Sequence, residues 1–220
     1  MGRLTRAGFQ LAARTRLRKY LYYRYQYSFN PRELAFLVQC LDRTADLSSP
    51  ILEVGCAFGH TTVFLNKHLA AVGDRRPYVC IDTFAGFTRA DARYEEQERG
   101  KSAAWYRQSY QDASLTTFQR TLANNGITSV IAIKSDVATW QPDLPSGVSF
   151  CLVDVDLYRP VLAALQKVVP LVQSGGLVVV DDCNDHHLWD GALQAYNEFT
   201  AAQGWPPTII GGRLGVIEVA

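Results

Sequence analysis

The 220-residue chain has no apolar run approaching the roughly 18 residues that a membrane helix needs. Its basic N-terminal stretch is followed by no apolar segment of the signal-peptide kind, so neither a membrane span nor a cleaved leader is expected. The opening Met1-Gly2-Arg3-Leu4-Thr5-Arg6 carries Arg where the myristoylation pattern wants Ser or Thr. Cysteine is scarce. Cys40, Cys56, Cys80, Cys151 and Cys183 are odd in number, lack CxxC spacing and mostly fall in or beside apolar β-runs. That pattern predicts buried thiols in a reducing, cytoplasmic setting rather than disulfides or a zinc site. No Ser-His-Asp or Cys-His arrangement is apparent, and no G-x-G-x-x-G is present, which argues against a bound dinucleotide. Internal repeats and low-complexity tracts are also missing. What remains, at 48% hydrophobic and 20% charged residues, is the composition of a soluble α/β domain with an ample core.

Acid is missing from residues 1 to 32, which hold eight Lys or Arg; the rest of the chain carries 14 basic and 21 acidic residues, a balance of −7. Arm and body therefore attract. Tyr20, Tyr22, Tyr23, Tyr25 and Tyr27 make the arm aromatic as well. Packing on the acidic body or on a second subunit accounts for these residues, and it is preferred over a membrane surface or RNA.

Residues 1–48 read as a basic, Tyr-rich helical extension, with Leu34, Leu37, Val38 and Leu41 at helical spacing before Ser48-Ser49-Pro50. Residues 49–220 read as one domain. Strand ILEVG leads through a glycine turn to helix HTTVFLNKHLAAV and strand YVCIDT; helix SLTTFQRTLANN, with Gly126 as C-cap, leads to strand SVIAIK. Strand VSFCLVDVD, helix RPVLAALQKVVPLV, strand GLVVVDD and helix DGALQAYNEFTAAQ follow, and PTIIGGRLGVIEV closes the chain as a hairpin through Gly211-Gly212. Such alternation predicts a doubly wound, Rossmann-like, seven-stranded sheet, mostly parallel, with an antiparallel C-terminal hairpin strand. The polar, aromatic stretch at about 88–112 is long for a connection, and reads either as a lid or binding loop or as a solvated helical insertion.

Chemistry concentrates at strand ends. The run Glu53-Val54-Gly55-Cys56-Ala57-Phe58-Gly59-His60-Thr61-Thr62 joins a strand to a helix start through two glycines, which allow close backbone approach to a nucleoside ligand. Asp82 ends the next strand, where a carboxylate can accept from ribose hydroxyls. Ser135 and Asp136 end the third, within reach of an adenine edge, although an Asp there is also a common turn residue. Two further strands finish in Asp154, Asp156, Asp181 and Asp182. Unit charges about 4 Å apart repel by roughly 4 kcal/mol at an effective dielectric near 20, so four carboxylates on one sheet edge ask for a cation, a shared proton or wide spacing. A divalent metal is the simplest answer. The competing reading is that Asp181 and Asp182 only end a strand and cap a helix while Asp154 and Asp156 are solvated.

Together these residues resemble the class I S-adenosylmethionine-dependent methyltransferases. More narrowly, Asp82-Thr83-Phe84-Ala85-Gly86-Phe87, Val153-Asp154-Val155-Asp156-Leu157-Tyr158 and Ser174 through Asp182 look like the TylF/MycE group of macrocin-type sugar O-methyltransferases, a resemblance spanning residues 51 to about 200. It implies S-adenosylmethionine and Mg²⁺ as cofactors, with Asp154, Asp181 and Asp182 as metal ligands and Asp156 as general base. It also implies that Glu53, Gly55 and Asp82 hold the cofactor, in a site that Cys56, Ala57, Gly59, Thr61, Thr83, Phe84, Ser135, Asp136 and Asp154 are expected to share. His186 and His187 stand beside the tetrad as alternative bases or acceptor contacts, though a solvated loop histidine is the more frequent case. His60 reads as a helix start near the cofactor and His68 as helix surface. The acceptor implied is a small hydroxylated molecule, a sugar or glycoside, handled by a homo-oligomer that does not use nucleic acid. A catechol-type O-methyltransferase, and a non-catalytic methyltransferase-like binding subunit, are the alternatives.

Overall fold

A computed structural model describes residues 27–102, 104, 106, 109–144, 146–185 and 188–220, together with residues 8, 11 and 15. Most of the arm, and both His186 and His187, lie outside the described residues. The strands are β1 (Ile51–Val54), β2 (Tyr78–Asp82), β3 (Val130–Lys134), β4 (Val148–Val153), β5 (Val172–Val180), β6 (Thr208–Ile210) and β7 (Leu214–Glu218). They form one sheet in the order β3-β2-β1-β4-β5-β7-β6, parallel from β3 through β5, with β7 antiparallel to both neighbours. The expected architecture is therefore the observed one.

Because successive strand residues face opposite sides, each buried strand feeds two cores. On one face Cys151, Val153, Val178 and Val180 pack under α5 (Tyr158–Val168) and α6 (Asp190–Ala202). On the other, Phe150, Leu152, Leu177 and Val179 meet α1 (Pro31–Arg43), α2 (His60–Val72) and α4 (Leu115–Asn124). Helix α1 is well specified locally: Asn30 caps it, Pro31 opens it, and Glu33 completes a reciprocal capping box. Its apolar stripe, Leu34, Leu37 and Leu41, lies in the sheet's core. All five cysteines are buried free thiols. Among the described residues no helix is long and apolar enough to cross a membrane.

Three boundaries differ from expectation, each for a local reason. The helix expected to run through Val172 stops at Val168, because Pro170 has no N–H to continue it; a 3₁₀ turn, Val169–Leu171, follows and β5 starts at once. Asn125, not Gly126, is the C-cap of α4, and Gly126 takes the left-handed position after it (φ +71°). Strands β4 and β5 end at Val153 and Val180, so the four aspartates sit just past the strands rather than within them. In the stretch at 88–112, Thr88 caps a helix, α3 (Arg89–Gln97), and Tyr106 is buried.

Candidate active site

The parallel strands all end on one sheet edge, and backbone bonds carry the ladder one residue beyond them: Gly55 N–H to Ile81 O, Asp154 N–H to Val54 O and Asp181 N–H to Val153 O, at 2.8, 2.8 and 2.9 Å. That register brings the ends of β1, β2, β3, β4 and β5 to one level. Gly55 is sterically required there. Its φ is +87°, and a Cβ would lie 1.9 Å from the Asp154 carbonyl oxygen. Gly59, in the left-handed conformation, opens α2 with no side-chain cap, leaving first-turn N–H groups facing the edge.

Two carboxylates fix this turn from below. Asp82 Oδ2 accepts from Cys56 N–H (2.9 Å) and Ala57 N–H (2.8 Å), while its Oδ1 accepts from Phe84 N–H (2.7 Å). Glu53 is buried, and its Oε2 accepts from Tyr78 Oη (2.7 Å) and Thr62 Oγ1 (2.8 Å). Burial raises the Glu53 carboxyl to about 7, against those two hydrogen bonds.

Above the turn lies a cavity. Of the residues expected at a cofactor, Glu53, Gly55, Cys56, Ala57, Thr61, Asp82, Thr83, Ser135, Asp136 and Asp154 line it. Gly59 and Phe84 do not: Phe84 is buried against Phe118, ring centroids 5.2 Å apart, and supports the wall from behind. Asp136 also accepts from Ala138 N–H at 2.8 Å, so its turn role and its place in the wall coexist. His60 lines the cavity too, and His68 bonds Asp42 at 2.6 Å far from it.

A second, more open cavity adjoins the first. It holds all four expected aspartates, together with Glu33, Trp189 and Arg213. Asp156, Asp181 and Asp182 are buried, and Asp156 and Asp182 adopt positive φ (+59° and +57°), an unusual conformation for residues other than glycine. Burial first, then the Asp181 charge, holds the Asp154 carboxyl well above the usual carboxylate range; burial and Asp182 do the same to Asp156. Asp181 is raised to about 7 by burial and Asp182, with Arg213 opposing.

Arg213 went unrecognised in the sequence, where it is a lone basic residue in a hairpin turn. Its Nε and one terminal nitrogen donate to both Asp181 oxygens at 2.8 and 2.7 Å, and Nε lies 3.2 Å from Asp182. The other terminal nitrogen donates to Ser28 O at 3.0 Å and lies 3.5 Å from Glu33, and the guanidinium stands 5.2 Å over the Phe29 ring. One cation thus offsets part of a four-carboxylate field. Hard oxygen donors in such excess are chemically suited to a divalent cation. As the side chains stand, Arg213 holds both oxygens of Asp181, and among the described residues no three His, Cys, Asp or Glu side chains converge as metal ligands.

The fold that positions this site has counterparts among known proteins. A family described as "Methyltransferase domain" matches residues 52–183. No curated protein sequence matches the chain. Among solved structures, the O-methyltransferase NovP superimposes with a TM-score of 0.68 at 19% identity, over 85% of this chain and 79% of that one. CalS11, a calicheamicin methyltransferase also described as a TDP-rhamnose 3'-O-methyltransferase, gives 0.66 at 18%, over 99% and 93%. Cofactor-bound Rv0187 from MTB gives 0.56 at 17%, over 97% and 86%. At these identities the likeness is one of fold.

Proposed function

The chain belongs to the methyltransferase-domain family, and from that premise we propose that it is an S-adenosylmethionine-dependent, Mg²⁺-dependent O-methyltransferase acting on a hydroxyl of a sugar or glycosylated product, of the TylF/MycE kind. One observation carries the reading: Asp154 and Asp156 belong to the walls of both cavities, so an acceptor among the acids would face a methyl donor held over the glycine turn. The structural likeness to NovP and CalS11 lends support, since NovP is described as an O-methyltransferase and CalS11 as a TDP-rhamnose 3'-O-methyltransferase.

In this reading the turn from Gly55 to Thr61, Asp82 and the strand ends at Thr83 and Asp136 bind the cofactor. Asp154, Asp181 and Asp182 would hold Mg²⁺. Bound S-adenosylmethionine supplies a sulfonium methyl already activated for in-line displacement, and bound Mg²⁺ supplies positive charge that acidifies a sugar hydroxyl. The protein's own part is alignment and proton removal. Asp156 would take the acceptor's hydroxyl proton during the transfer; its buried setting makes the carboxylate a stronger base than a solvated one. Asp156 is preferred to a histidine because it stands where the two cavities meet.

Calorimetry with S-adenosylhomocysteine tests the cofactor half, and absence of binding would remove S-adenosylmethionine from the reading. Turnover is then measured on neutral glycosides, sugar nucleotides and catechols, with EDTA and with Mg²⁺ restored. Methylation of glycosides or sugar nucleotides that stops in chelator is the expected result. Turnover of catechols alone would replace the acceptor assignment, and full activity in chelator would remove the metal.

A further inference from the structure

Only four described residues line both cavities: Ser28, Tyr110, Asp154 and Asp156. Tyr110 is the one aromatic among them, and it comes from the segment between α3 and α4 rather than from a strand end. Its setting is not that of a core residue. In the same segment Tyr106 is 1% exposed and donates its phenol to Leu188 O at 2.8 Å, whereas Tyr110 is 38% exposed and no partner for its phenol is found among the described residues.

The backbone is nonetheless held firmly in an unusual place. Tyr110 has φ +59°, a conformation an aromatic residue rarely adopts, and its carbonyl accepts from Ala113 N–H at 2.9 Å. Its ring meets Phe87 edge-on, centroids 5.5 Å apart at 88°. Gly86 makes the approach possible, since a Cβ there would come within 2.9 Å of Ser109 O and 3.4 Å of Tyr110 O. The segment is thus pressed onto the loop after β2, with one strained residue presenting a free hydroxyl donor at the junction. The carboxylates of Asp156, Asp154, Asp182 and Asp181 are the charges that phenol feels.

We propose that Tyr110 is a positioning and specificity-determining residue of the methyl transfer: its ring forms the post between cofactor and acceptor cavities, and its phenol hydrogen-bonds the acceptor oxygen so that this oxygen faces both the methyl carbon and Asp156. The inference rests on the methyltransfer reading above.

The test compares Tyr110→Phe and Tyr110→Ala with wild type, using the acceptor that wild type methylates best. Loss of the phenol alone should lower kcat by about tenfold, as one hydrogen bond made in the transition state implies, while S-adenosylhomocysteine affinity and melting temperature stay unchanged. Loss of the ring should lower kcat/KM for the acceptor by a further factor of about ten and narrow the discrimination between small and bulky acceptors. A residue needed only for packing gives another pattern, in which the Phe variant recovers full turnover and only the Ala variant melts early. A Phe variant with kcat and KM within twofold of wild type overturns the proposal, whether or not the Ala variant folds. A wild type that binds cofactor but methylates no hydroxyl acceptor overturns the methyltransfer reading, and this inference falls with it.

Discussion

Replacing Arg213 by Met removes a charge while keeping most of an apolar stem, and the structure sets how much should be lost. The guanidinium side chain is 23% exposed, but the Asp181 carboxylate it grips is only 2% exposed. Breaking a buried pair from one side costs about 3–5 kcal/mol, because the remaining charge has no partner. Two features lower that figure here. Part of the guanidinium sees solvent, and Asp181, already raised to about 7 with Arg213 present, can escape by taking a proton. At pH 6 that carboxyl is mostly protonated in the folded wild type, so Arg213 has less to offset; at pH 8 it is ionised and depends on its partner. The expected loss is therefore about 2–4 kcal/mol at pH 8 and about 1 kcal/mol at pH 6. For a chain of this length the larger figure corresponds to a fall in melting temperature of about 4–16 °C. Urea denaturation of both proteins at the two pH values measures it. A loss below about 0.5 kcal/mol at pH 8, the size of an ordinary surface substitution, would refute the reasoning, and so would a loss no greater at pH 8 than at pH 6.

Three more predictions follow from the site. Asp156→Asn keeps the shape, and Asn tolerates the left-handed backbone at φ +59°; kcat should fall by about 10²–10⁴-fold with S-adenosylhomocysteine affinity unchanged, and a variant retaining a fifth of wild-type kcat would remove Asp156 as base. Glu53 has its folded value raised to about 7 from an ordinary 4.5, so the folded state binds its proton more tightly than the unfolded chain does. Stability from this group is complete below pH 4.5 and is lost as pH rises to 7; the advantage of wild type over Glu53→Gln should shrink across that window by up to about 3 kcal/mol in chemical denaturation, and a constant difference would contradict the assignment. Gly55→Ala would place a methyl 1.9 Å from a backbone carbonyl in a turn at φ +87°. It should cost more than about 3 kcal/mol and abolish cofactor binding by calorimetry, an outcome that a fully stable, binding variant would exclude.

The sequence made the sheet readable because its signals are local. Runs such as Phe150 to Val153 and Leu177 to Val180 are apolar on both faces, which only a central parallel strand needs, and glycines 55 and 59 sit where the turn requires them. The strand ends then placed Glu53, Asp82, Asp154 and Asp181 on one edge without any knowledge of packing. What stayed hidden depends on distant pairing. Arg213 reaches Asp181 across 32 residues and Ser28 across 185, and no periodicity or spacing encodes either contact. Tyr110 lies within a stretch whose length suggests a binding role, but only the folded chain puts it in the walls of both cavities. Phe84 and Gly59 illustrate the converse: both lie inside strand-end motifs, yet neither lines the cavity, Phe84 being buried against Phe118 and Gly59 capping α2.

The position of β7 between β5 and β6 has a consequence for how the molecule is made. A chain synthesised only through α6 already contains all five parallel strands and the four aspartates after β4 and β5, but not yet Arg213. Arg213 arrives afterwards, on the turn that brings β7 into its slot. The turn that leads into β7, the strand between β5 and β6, therefore also carries the guanidinium that Asp181 accepts, so one short segment of chain serves both the backbone ladder and the charge of the site.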